Sequence, residues 1–477
     1  MVHNVSIIDR EEETSFLESS YAESKSQLIV LYGRRRVGKT YLLQHFMHNK
    51  KHTYYLCTKG NEAEQIRLLS RMIGESLGDT ALTLSPFSEW RALFIYLNEK
   101  AQKEKFLLVI DEFPYLINTN PNITSIFQKY WDECLSNTKI MLVLCGSSIN
   151  MMESEVLAHK SPLYGRRTGQ WKVRPMDFEK SLKFFPKGAS VEEAVRIYAI
   201  TGGVPFYLAE LDLSKTASEN ILERIAKKGK MLYEEGELLL KEELRDPSTY
   251  FSMLDAMSAG NTKQTEIANR VGMLSTALPR YISTLERLEY VEKIAPVTEP
   301  KRSKKTIYKI KDNFMDFWFK FIYPNRSYIE EGNYKKFKEI LGTYFEKHVS
   351  FAFEGICRDF LKKQNAKNLL PIYLTKIGTW YGYYRIVGER KPVEIDIVAL
   401  DEKGNGIIFA ECKWQDLSCK DAEKLIAVLK EKSKRVEWNG GKRKEYFAIF
   451  AKTIEGKETL RKGGFLAWDL DDLKRSE

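Results

Sequence analysis

The sequence predicts an α/β protein of several domains, and three stretches carry that prediction. In residues 27–43 an apolar strand runs into a glycine-rich loop and then into a helix. In residues 106–112 a second apolar strand ends in two carboxylates. Residues 393–414 alternate in the manner of two strands around a polar turn, as a β-hairpin does. A chain of 477 residues also exceeds one ordinary core, and this length indicates about three domains.

The composition is that of a globular protein, with 43% hydrophobic and 29% charged residues. No N-terminal stretch joins a basic start to an apolar core, and no apolar run approaches the length that crosses a bilayer. We therefore expect a cytoplasmic protein with no membrane partner. The formal charge of +10 suits a polyanionic partner such as nucleic acid, although a well-solvated surface carries such a charge equally well.

The six cysteines form no CxxC pair, and the six histidines show no ligand spacing. We interpret the cysteines as reduced packing residues rather than as disulfides or metal ligands. We therefore expect the catalytic and ligand-binding residues to be of types other than cysteine and histidine.

Residues 33–40 match the pattern G-x-x-x-x-G-K-[ST] between a strand and a helix. In this pattern the glycines let backbone N–H groups converge on phosphate oxygens, and the helix adds the positive end of its dipole. The lysine reaches the β- and γ-phosphates and the threonine hydroxyl ligates magnesium. We therefore predict ATP and Mg²⁺ as cofactors; a plain glycine-rich turn is the alternative. The predicted nucleotide-binding residues are Gly33, Arg34, Arg35, Arg36, Val37, Gly38, Lys39 and Thr40.

The second strand, residues 106–110, delivers Asp111 and Glu112. We predict that Asp111, together with Thr40, holds the magnesium ion and that Glu112 orients and deprotonates the attacking water. Carboxylates often follow strands, but a pair at this distance after a phosphate loop favours the catalytic interpretation.

A third strand, residues 139–145, ends in Gly146-Ser147-Ser148. The two hydroxyls either sense the γ-phosphate and position water, or belong to a simple turn. The sequence leaves this choice open.

Several motifs together resemble the archaeal-type ATPase family, which is close to the AAA+ and STAND ATPases. They are the acidic helix start at residues 9–13, GRRRVGKT, DEFPYL, the strand ending in GSS, YGRR at residues 164–167 and TGGVP at residues 201–205. The resemblance implies an ATPase domain over residues 1–245 with a helical lid marked by Gly203-Val204-Pro205. It also implies that Arg166, or Arg167 in its place, acts as an arginine finger, which makes a homo-oligomer an expected partner. The alternative is that these arginines lie on a solvated loop.

The spacing of apolar residues in 246–312 predicts three helices followed by a β-hairpin. The third helix would direct Arg280, Tyr281, Thr284 and Arg287 outward, and the hairpin has a basic tip at residues 301–305. This resembles a winged helix-turn-helix, whose third helix can enter the major groove of double-stranded DNA while the wing contacts phosphate. Packing against the nucleotide module without DNA contact is the alternative. Residues 313–323 are rich in aromatic side chains, which favours an interdomain packing helix over a base-stacking surface, and we take residues 313–345 as a helical linker.

The late hairpin allows a geometric argument. If its six-residue turn is symmetric, Leu400 faces Ile407, and Asp396 then lies opposite Glu411, with Glu394 opposite Lys413. All four charged side chains would project from one face of the sheet. We predict that Asp396 and Glu411 bind Mg²⁺ and that Lys413 positions or activates water for phosphodiester hydrolysis.

This pattern resembles the PD-(D/E)XK nuclease superfamily, and in particular the C-terminal domain often fused to archaeal-type ATPases. The resemblance covers residues 346–477 and implies an α/β restriction-endonuclease-like fold, with Glu354 as an additional helical carboxylate. Pro392 is separated from Asp396, so the nominal Pro-Asp pair is absent.

Three functions therefore stay open. The first is an ATPase whose nucleotide state controls a DNA nuclease. The second is a nucleotide-dependent switch or scaffold whose last domain binds without cutting. The third is an ATP-driven DNA translocase.

Overall fold

Five strands in the first 175 residues form one parallel sheet in the computed structural model, which describes residues 8–300, 303, 305–386 and 389–474. The strand order is β2-β3-β4-β1-β5. The residues of β1, β3 and β4 are all buried, because helices cover both faces of the sheet. The elements of this part are α1 (Glu11–Ala22), β1 (Gln27–Tyr32), α2 (Lys39–Met47), β2 (His52–Leu56), α3 (Glu62–Leu77), α4 (Thr80–Leu84), α5 (Trp90–Lys103), β3 (Phe106–Asp111), α6 (Pro114–Thr119), α7 (Ile123–Tyr130), β4 (Ile140–Gly146), α8 (Ile149–Met151) and β5 (Gly169–Lys172).

The order of the strands brings the predicted site residues to one edge of the sheet. Strand β4 lies between β1 and β3 and is hydrogen-bonded to both. Because the strands are parallel, their carboxyl ends meet at one edge of the sheet, which is where α/β proteins bind their ligands. The phosphate loop, the two carboxylates and the serines that follow β4 therefore converge.

The second part of the chain begins with helices and continues into the three helices and antiparallel hairpin expected for residues 246–312. The elements up to the linker are α9 (Phe178–Ser181), α10 (Val191–Thr201), α11 (Pro205–Glu210), α12 (Ala217–Asn220), α13 (Met231–Glu243), α14 (Pro247–Ser258), α15 (Gln264–Val271), α16 (Leu278–Arg287), β6 (Val291–Ile294), β7 (Ile307–Ile310), α17 (Asn313–Phe317) and α18 (Arg326–Glu330). Of the expected basic tip, Lys301, Arg302 and Lys304 lie outside the described residues.

A five-stranded mixed sheet closes the chain, with the order β12-β11-β10-β9-β8. The β9–β10 hairpin pairs Leu400 with Ile407, which is the predicted register. The 33-residue helix α19 packs against β10, as does α20. The elements are α19 (Tyr334–Ala366), β8 (Lys376–Ile386), β9 (Glu389–Asp401), β10 (Gly406–Leu417), α20 (Cys419–Ser433), β11 (Lys444–Ile454), α21 (Lys457–Lys462), β12 (Leu466–Trp468) and α22 (Leu470–Lys474). The predicted α/β fold class is confirmed.

The aromatic linker is a packing segment, as predicted, and not a stacking surface. Its large side chains are buried, and the Trp318 indole N–H donates to the Tyr233 carbonyl oxygen at 2.8 Å. Gly236 allows this approach, since a Cβ there would lie 2.4 Å from the Trp318 ring. The buried linker aromatics are Phe314, Phe317, Trp318, Phe319 and Phe321.

The chain divides into two units, Met1–Pro175 and Met176–Glu477. The helices between residues 176 and 245, which we predicted to belong to the ATPase domain as its lid, are part of the second unit. In that unit, α10 contacts α17 and α19: Asn313 donates to the Tyr198 carbonyl oxygen at 3.0 Å, and Arg196 donates to Glu346 at 2.8 Å. The predicted boundaries at residues 245, 312 and 345 stay predictions.

The hairpin β6–β7 is attached to the last sheet at its loop end, beside the Ile294–Ile307 pair. The Tyr381 hydroxyl of β8 donates to the carbonyl oxygens of Ile294 and Lys305, at 3.1 and 2.8 Å. The Val297 N–H donates to the Thr379 carbonyl oxygen at 3.0 Å. The loop end of the hairpin is thus a packing surface.

Of the helices within the described ranges, none combines the length and the apolar composition needed to span a membrane.

Candidate functional site

The loop after β1 has a backbone that only particular residues tolerate. A Cβ at Gly33 would lie 2.2 Å from the Val173 carbonyl oxygen, so the close passage of the loop requires glycine there. Gly38 adopts φ of 90°, in the left-handed region, directly before α2 begins at Lys39. The loop thereby ends on the N-terminus of a nine-residue helix, which favours anions. These features fit a bound phosphate chain.

Lys39 is 6% exposed, and its ammonium group lies inside this loop. It donates to the carbonyl oxygens of Gly33 at 2.9 Å and Arg34 at 2.8 Å. A phosphate in the loop would offer this cation charged oxygens in place of neutral ones, which is a stronger contact.

The N-terminal helix supports the loop through Arg10, which we did not predict. The guanidinium group donates to the Val37 carbonyl oxygen at 2.8 Å and to the Glu13 carboxylate at 2.7 Å. Nothing in the spacing of the sequence indicates this contact, because the two partners are 27 residues apart.

Asp111, at the end of β3, is 1% exposed and receives three hydrogen bonds. Its Oδ2 accepts from the Thr40 hydroxyl at 3.0 Å and from the Tyr54 hydroxyl at 2.7 Å, and its Oδ1 accepts from the Glu112 N–H at 2.9 Å. A hydroxyl and a carboxylate in contact are the donor set that Mg²⁺ shares with nucleotide phosphates and water. The residues present therefore fit a magnesium ion.

Tyr54 is a second residue that the sequence analysis missed. Burial and the nearby charge of Asp111 raise the pKa of Tyr54, so its hydroxyl stays protonated and donates. The alternation of β2 shows which way this side chain points, but only the pairing of β2 with β3 brings it to Asp111.

The variant Tyr54→Phe should weaken magnesium binding roughly 10- to 100-fold, because a group that orients a metal-binding carboxylate is lost. Nucleotide affinity in EDTA should not change. Nucleotide affinity is measured from the fluorescence of a labelled ATP analogue in EDTA. Magnesium affinity is measured from the change in that fluorescence on titration with MgCl₂. Tyr55→Phe is the matched control, since the Tyr55 hydroxyl lies 3.5 Å from Gln65 instead. Identical magnesium titrations for the two variants would show that the Tyr54 contact is dispensable.

Glu112 stands beside this site in a strained conformation, with φ of 54°. Its Oε2 accepts from the Ser147 hydroxyl at 2.7 Å and from the Ser147 N–H at 3.4 Å. Of the two predicted serines, Ser147 thus holds the predicted base. Ser148 occupies the position before α8 and makes no capping hydrogen bond there.

The two candidate finger arginines are engaged within their own unit. The Arg166 guanidinium donates to both oxygens of the Asp132 carboxylate, from Nε to Oδ1 at 3.2 Å and from Nη2 to Oδ2 at 3.0 Å. Arg167 donates to the Leu157 carbonyl oxygen at 3.3 Å, and its guanidinium lies 4.5 Å from the centre of the Tyr164 ring. Their finger role stays a prediction.

The lid motif has a tight backbone of its own. Gly203 adopts φ of 70°, and a Cβ there would lie 1.9 Å from the Met176 carbonyl oxygen. The Met176 N–H donates to the Gly203 carbonyl oxygen at 2.9 Å. Pro205 then starts α11. The expected place of Gly203-Val204-Pro205 near the adenine stays a prediction.

The last sheet brings Asp396, Glu411 and Lys413 together, as the hairpin argument predicted. The Lys413 ammonium donates to Glu411 Oε2 at 2.6 Å and to Asp396 Oδ2 at 3.3 Å. The Cys412 N–H also donates to Asp396 Oδ2, at 2.8 Å. Glu394, which we expected opposite Lys413, pairs along the sheet with Tyr381, because the β9–β10 ladder ends at Ile397 and Ala410.

A second lysine, Lys432 on α20, donates to Glu411 Oε1 at 2.5 Å. Both Glu411 oxygens therefore accept from ammonium groups. No pattern in the sequence indicates Lys432, which lies 21 residues beyond its partner on another element.

Burial shapes the electrostatics of this second site. Burial and the charge of Asp396 raise the pKa of Glu354 to about 8, while Lys309 and Arg358 act in the opposite direction. Burial and the neighbouring Glu411 also raise the pKa of Asp396. Burial opposes the charge of Lys413, but the two carboxylates outweigh it and raise the pKa of the ammonium group.

Among the residues that the structure describes, no three or more His, Cys, Asp or Glu side chains gather into a metal-binding cluster. The predicted magnesium ligands are two at each site, Thr40 with Asp111 and Asp396 with Glu411. Mg²⁺ commonly uses one or two carboxylates and completes its shell with phosphates and water.

Comparison with protein families gives two matches. Residues 7–211 match a model described as an ATPase domain predominantly from Archaea. Residues 318–425 match one described as archaeal and bacterial proteins of unknown function.

Individual proteins agree with this. An uncharacterised protein of Methanocaldococcus jannaschii is 37% identical over 466 residues, which are 98% of this chain and 99% of that one. An uncharacterised ATP-binding protein of the same organism is 55% identical over 47 residues, 10% of this chain and 80% of that one. Among solved structures, a Walker-type ATPase of Pyrococcus abyssi superposes with a TM-score of 0.51 at 22% identity, covering 66% of this chain and 97% of that one. This structure shares the fold.

Proposed function

The chain belongs to the archaeal-type P-loop ATPase family, and on that premise we propose that it binds Mg·ATP and hydrolyses it at the carboxyl edge of its parallel sheet. One observation carries this proposal. The Thr40 hydroxyl and the Asp111 carboxylate are in contact at 3.0 Å, next to a glutamate held by Ser147 at 2.7 Å. This is the arrangement that a magnesium-dependent attack of water on the γ-phosphate requires.

Each residue has a distinct role in this proposal. The loop amides and Lys39 bind the phosphates, and Thr40 and Asp111 hold the magnesium ion. When bound, that ion neutralises charge on the phosphate oxygens. Glu112 accepts a proton from the attacking water, and Ser147 keeps its carboxylate in place.

Arg166 completes the site in an assembled state. We assign to it the stabilisation of negative charge on the transferred phosphate, from its own subunit or from a neighbouring copy in a homo-oligomer. The ion pair of Arg166 with Asp132 is exposed to solvent, and exposed ion pairs contribute little to stability. Releasing the arginine from this partner is therefore inexpensive. Arg167, stacked on Tyr164, is the alternative finger.

For the second unit, the favoured function is handling of double-stranded DNA. Helix α16 buries Leu278, Ile282 and Leu285 and exposes Arg280 and Arg287. A helix with one buried face and an arginine-bearing outer face suits the major groove. Because the loop end of the β6–β7 hairpin packs on β8, α16 is the better candidate for DNA contact.

We further assign to the last sheet a magnesium-dependent cleavage of phosphodiester bonds, under the control of the ATP state. Asp396 and Glu411 are carboxylates of the type that holds Mg²⁺, and Lys413 lies between them. Lys413 would position the attacking water or stabilise charge on the phosphate.

The alternative is a nucleotide-dependent switch or scaffold whose last domain binds DNA without cutting it. The two lysines on Glu411 favour this alternative, since they already satisfy both of its oxygens. A domain of this kind would use the same charged residues to hold a phosphate rather than a metal ion.

Incubation with supercoiled plasmid separates the two functions. With Mg²⁺ or Mn²⁺, the wild type should yield nicked or linear plasmid, and Asp396→Ala should yield none, because one of two metal-binding carboxylates is lost. The matched control is Glu402→Ala, which removes an exposed carboxylate paired with Lys376. Reactions with and without ATP show whether cleavage of the plasmid depends on ATP. Intact plasmid under every condition would favour the switch.

A further inference from the structure

Helix α19 presents two exposed aromatic rings on one face. Tyr344 is 58% exposed and Phe351 is 46% exposed, whereas most of the described aromatic side chains of this unit are buried or half-buried. Seven residues on a helix make about two turns, so the two rings lie on the same face about 10 Å apart along the axis. The exposed Lys347 lies between them. We call these three side chains the α19 stripe.

Two further lysines, from other elements, flank the ring of Phe351. The Lys309 ammonium of β7 lies 5.8 Å from the ring centre, and the Lys320 ammonium lies 5.6 Å from it. Lys320 also pairs with Asp316 at 2.6 Å. Segments distant in the sequence thus place cations around one exposed aromatic ring, which attracts them weakly by its quadrupole.

The same face of α19 continues into the second charged site. Glu354 follows Phe351 by three residues, one turn further along. Lys309 lies near enough to influence the Glu354 carboxyl, as do Arg358 and Asp396. Lys309 therefore lies beside the stripe and acts electrostatically on the Glu354 carboxyl.

We propose that the α19 stripe, with Lys309 and Lys320, binds a single strand of nucleic acid and leads its backbone to Asp396, Glu411 and Lys413. Exposed rings interleaved with cations are how proteins bind unpaired strands, since the rings stack on bases and the cations contact phosphates. Paired bases cannot stack on a ring in this way. The proposal rests on the proposed phosphodiester cleavage and names its substrate as an unpaired strand.

An acidic protein segment is the other partner that such cations could attract. The rings argue for nucleic acid, because stacking on bases uses both of them whereas an acidic chain needs only the lysines. The continuation of the stripe into a site suited to phosphodiesters supports the same choice.

Binding is measured with the full-length protein in EDTA, by fluorescence anisotropy of a labelled 20-nucleotide oligothymidine and of its duplex with oligoadenine. The wild type should bind the single strand, and this binding should weaken with salt, whereas duplex binding through α16 should not depend on Phe351. Phe351→Ala should lose about 5- to 150-fold in affinity, the value of one stacked base, and Phe351→Trp should retain binding. The matched control Tyr373→Ala removes an aromatic ring that is 63% exposed elsewhere and should bind as the wild type does.

Three results would overturn the proposal. They are equal single-strand binding by Phe351→Ala and the wild type, an equal loss of single-strand and duplex binding in Phe351→Ala, and a wild type that binds labelled polyglutamate but not the single strand. The last result would identify an acidic protein surface as the partner.

The experiment distinguishes this proposal from the nuclease assignment, because binding in EDTA requires no cleavage. Selective loss of binding in Phe351→Ala, with no cleavage by the wild type, would keep the surface and remove the nuclease. Cleavage of a single-stranded substrate by wild type and Phe351→Ala with the same KM would keep the nuclease and remove the surface.

Discussion

The variant Glu112→Gln is expected to bind ATP as tightly as the wild type and to hydrolyse it about 10²- to 10⁴-fold more slowly. The amide has the shape of the carboxylate, and its oxygen still accepts the hydrogen bond from Ser147. It cannot take a proton from water, so only the chemical step suffers. Binding is measured with a fluorescent ATP analogue, and hydrolysis with radiolabelled ATP under single-turnover conditions.

A matched control for this variant is Glu133→Gln, which makes the same change at an exposed glutamate of the same unit. It should turn over ATP at the wild-type rate. Normal hydrolysis by Glu112→Gln would remove Glu112 as the general base.

Lys39→Ala should lose tight ATP binding altogether, by about 100-fold or more. The side chain supplies a buried cation to the phosphates, and charge-assisted hydrogen bonds of this kind contribute about 1.5–3 kcal/mol each. Isothermal titration calorimetry with ATP, with and without Mg²⁺, measures the loss.

Since Lys39 also bonds to two loop carbonyls, the thermal unfolding of Lys39→Ala has to be recorded alongside. Lys51→Ala is the control. Lys51 directly precedes β2, and its ammonium group pairs with Glu104 instead of with the phosphate loop. Wild-type affinity in a folded Lys39→Ala protein would contradict the role given to this lysine.

The phosphate loop and the hairpin register were predictable for a physical reason. Each depends on residues close together in sequence. The loop needs glycines at fixed offsets between a strand and a helix, and the register follows from a turn length and a period of two. Gly33, Gly38 and the pairing of Leu400 with Ile407 are found as the sequence indicates.

The contacts that support the sites were not predictable in the same way. Tyr54 reaches Asp111 across 57 residues, and Lys432 reaches Glu411 across 21. Such contacts depend on which elements pack together, and periodicity reports only that an element has an inner face. A sequence shows that Ser147 ends a strand, but not that its hydroxyl meets Glu112.

The division into units illustrates the same limit. The apolar pattern of α10 predicts a buried helix face but does not say what covers it. In the structure, α17 and α19 cover it, through contacts such as Arg196 with Glu346. The assignment of these helices to a lid stays a prediction.

The most direct test of ATP hydrolysis is the release of inorganic phosphate from ATP by the purified full-length protein, with Mg²⁺ or EDTA, beside Lys39→Ala. We predict that the wild type releases phosphate only in the presence of Mg²⁺ and that Lys39→Ala releases none. Release that is equal in the two proteins, or that persists in EDTA, would contradict hydrolysis at the site built from Lys39, Thr40, Asp111 and Glu112.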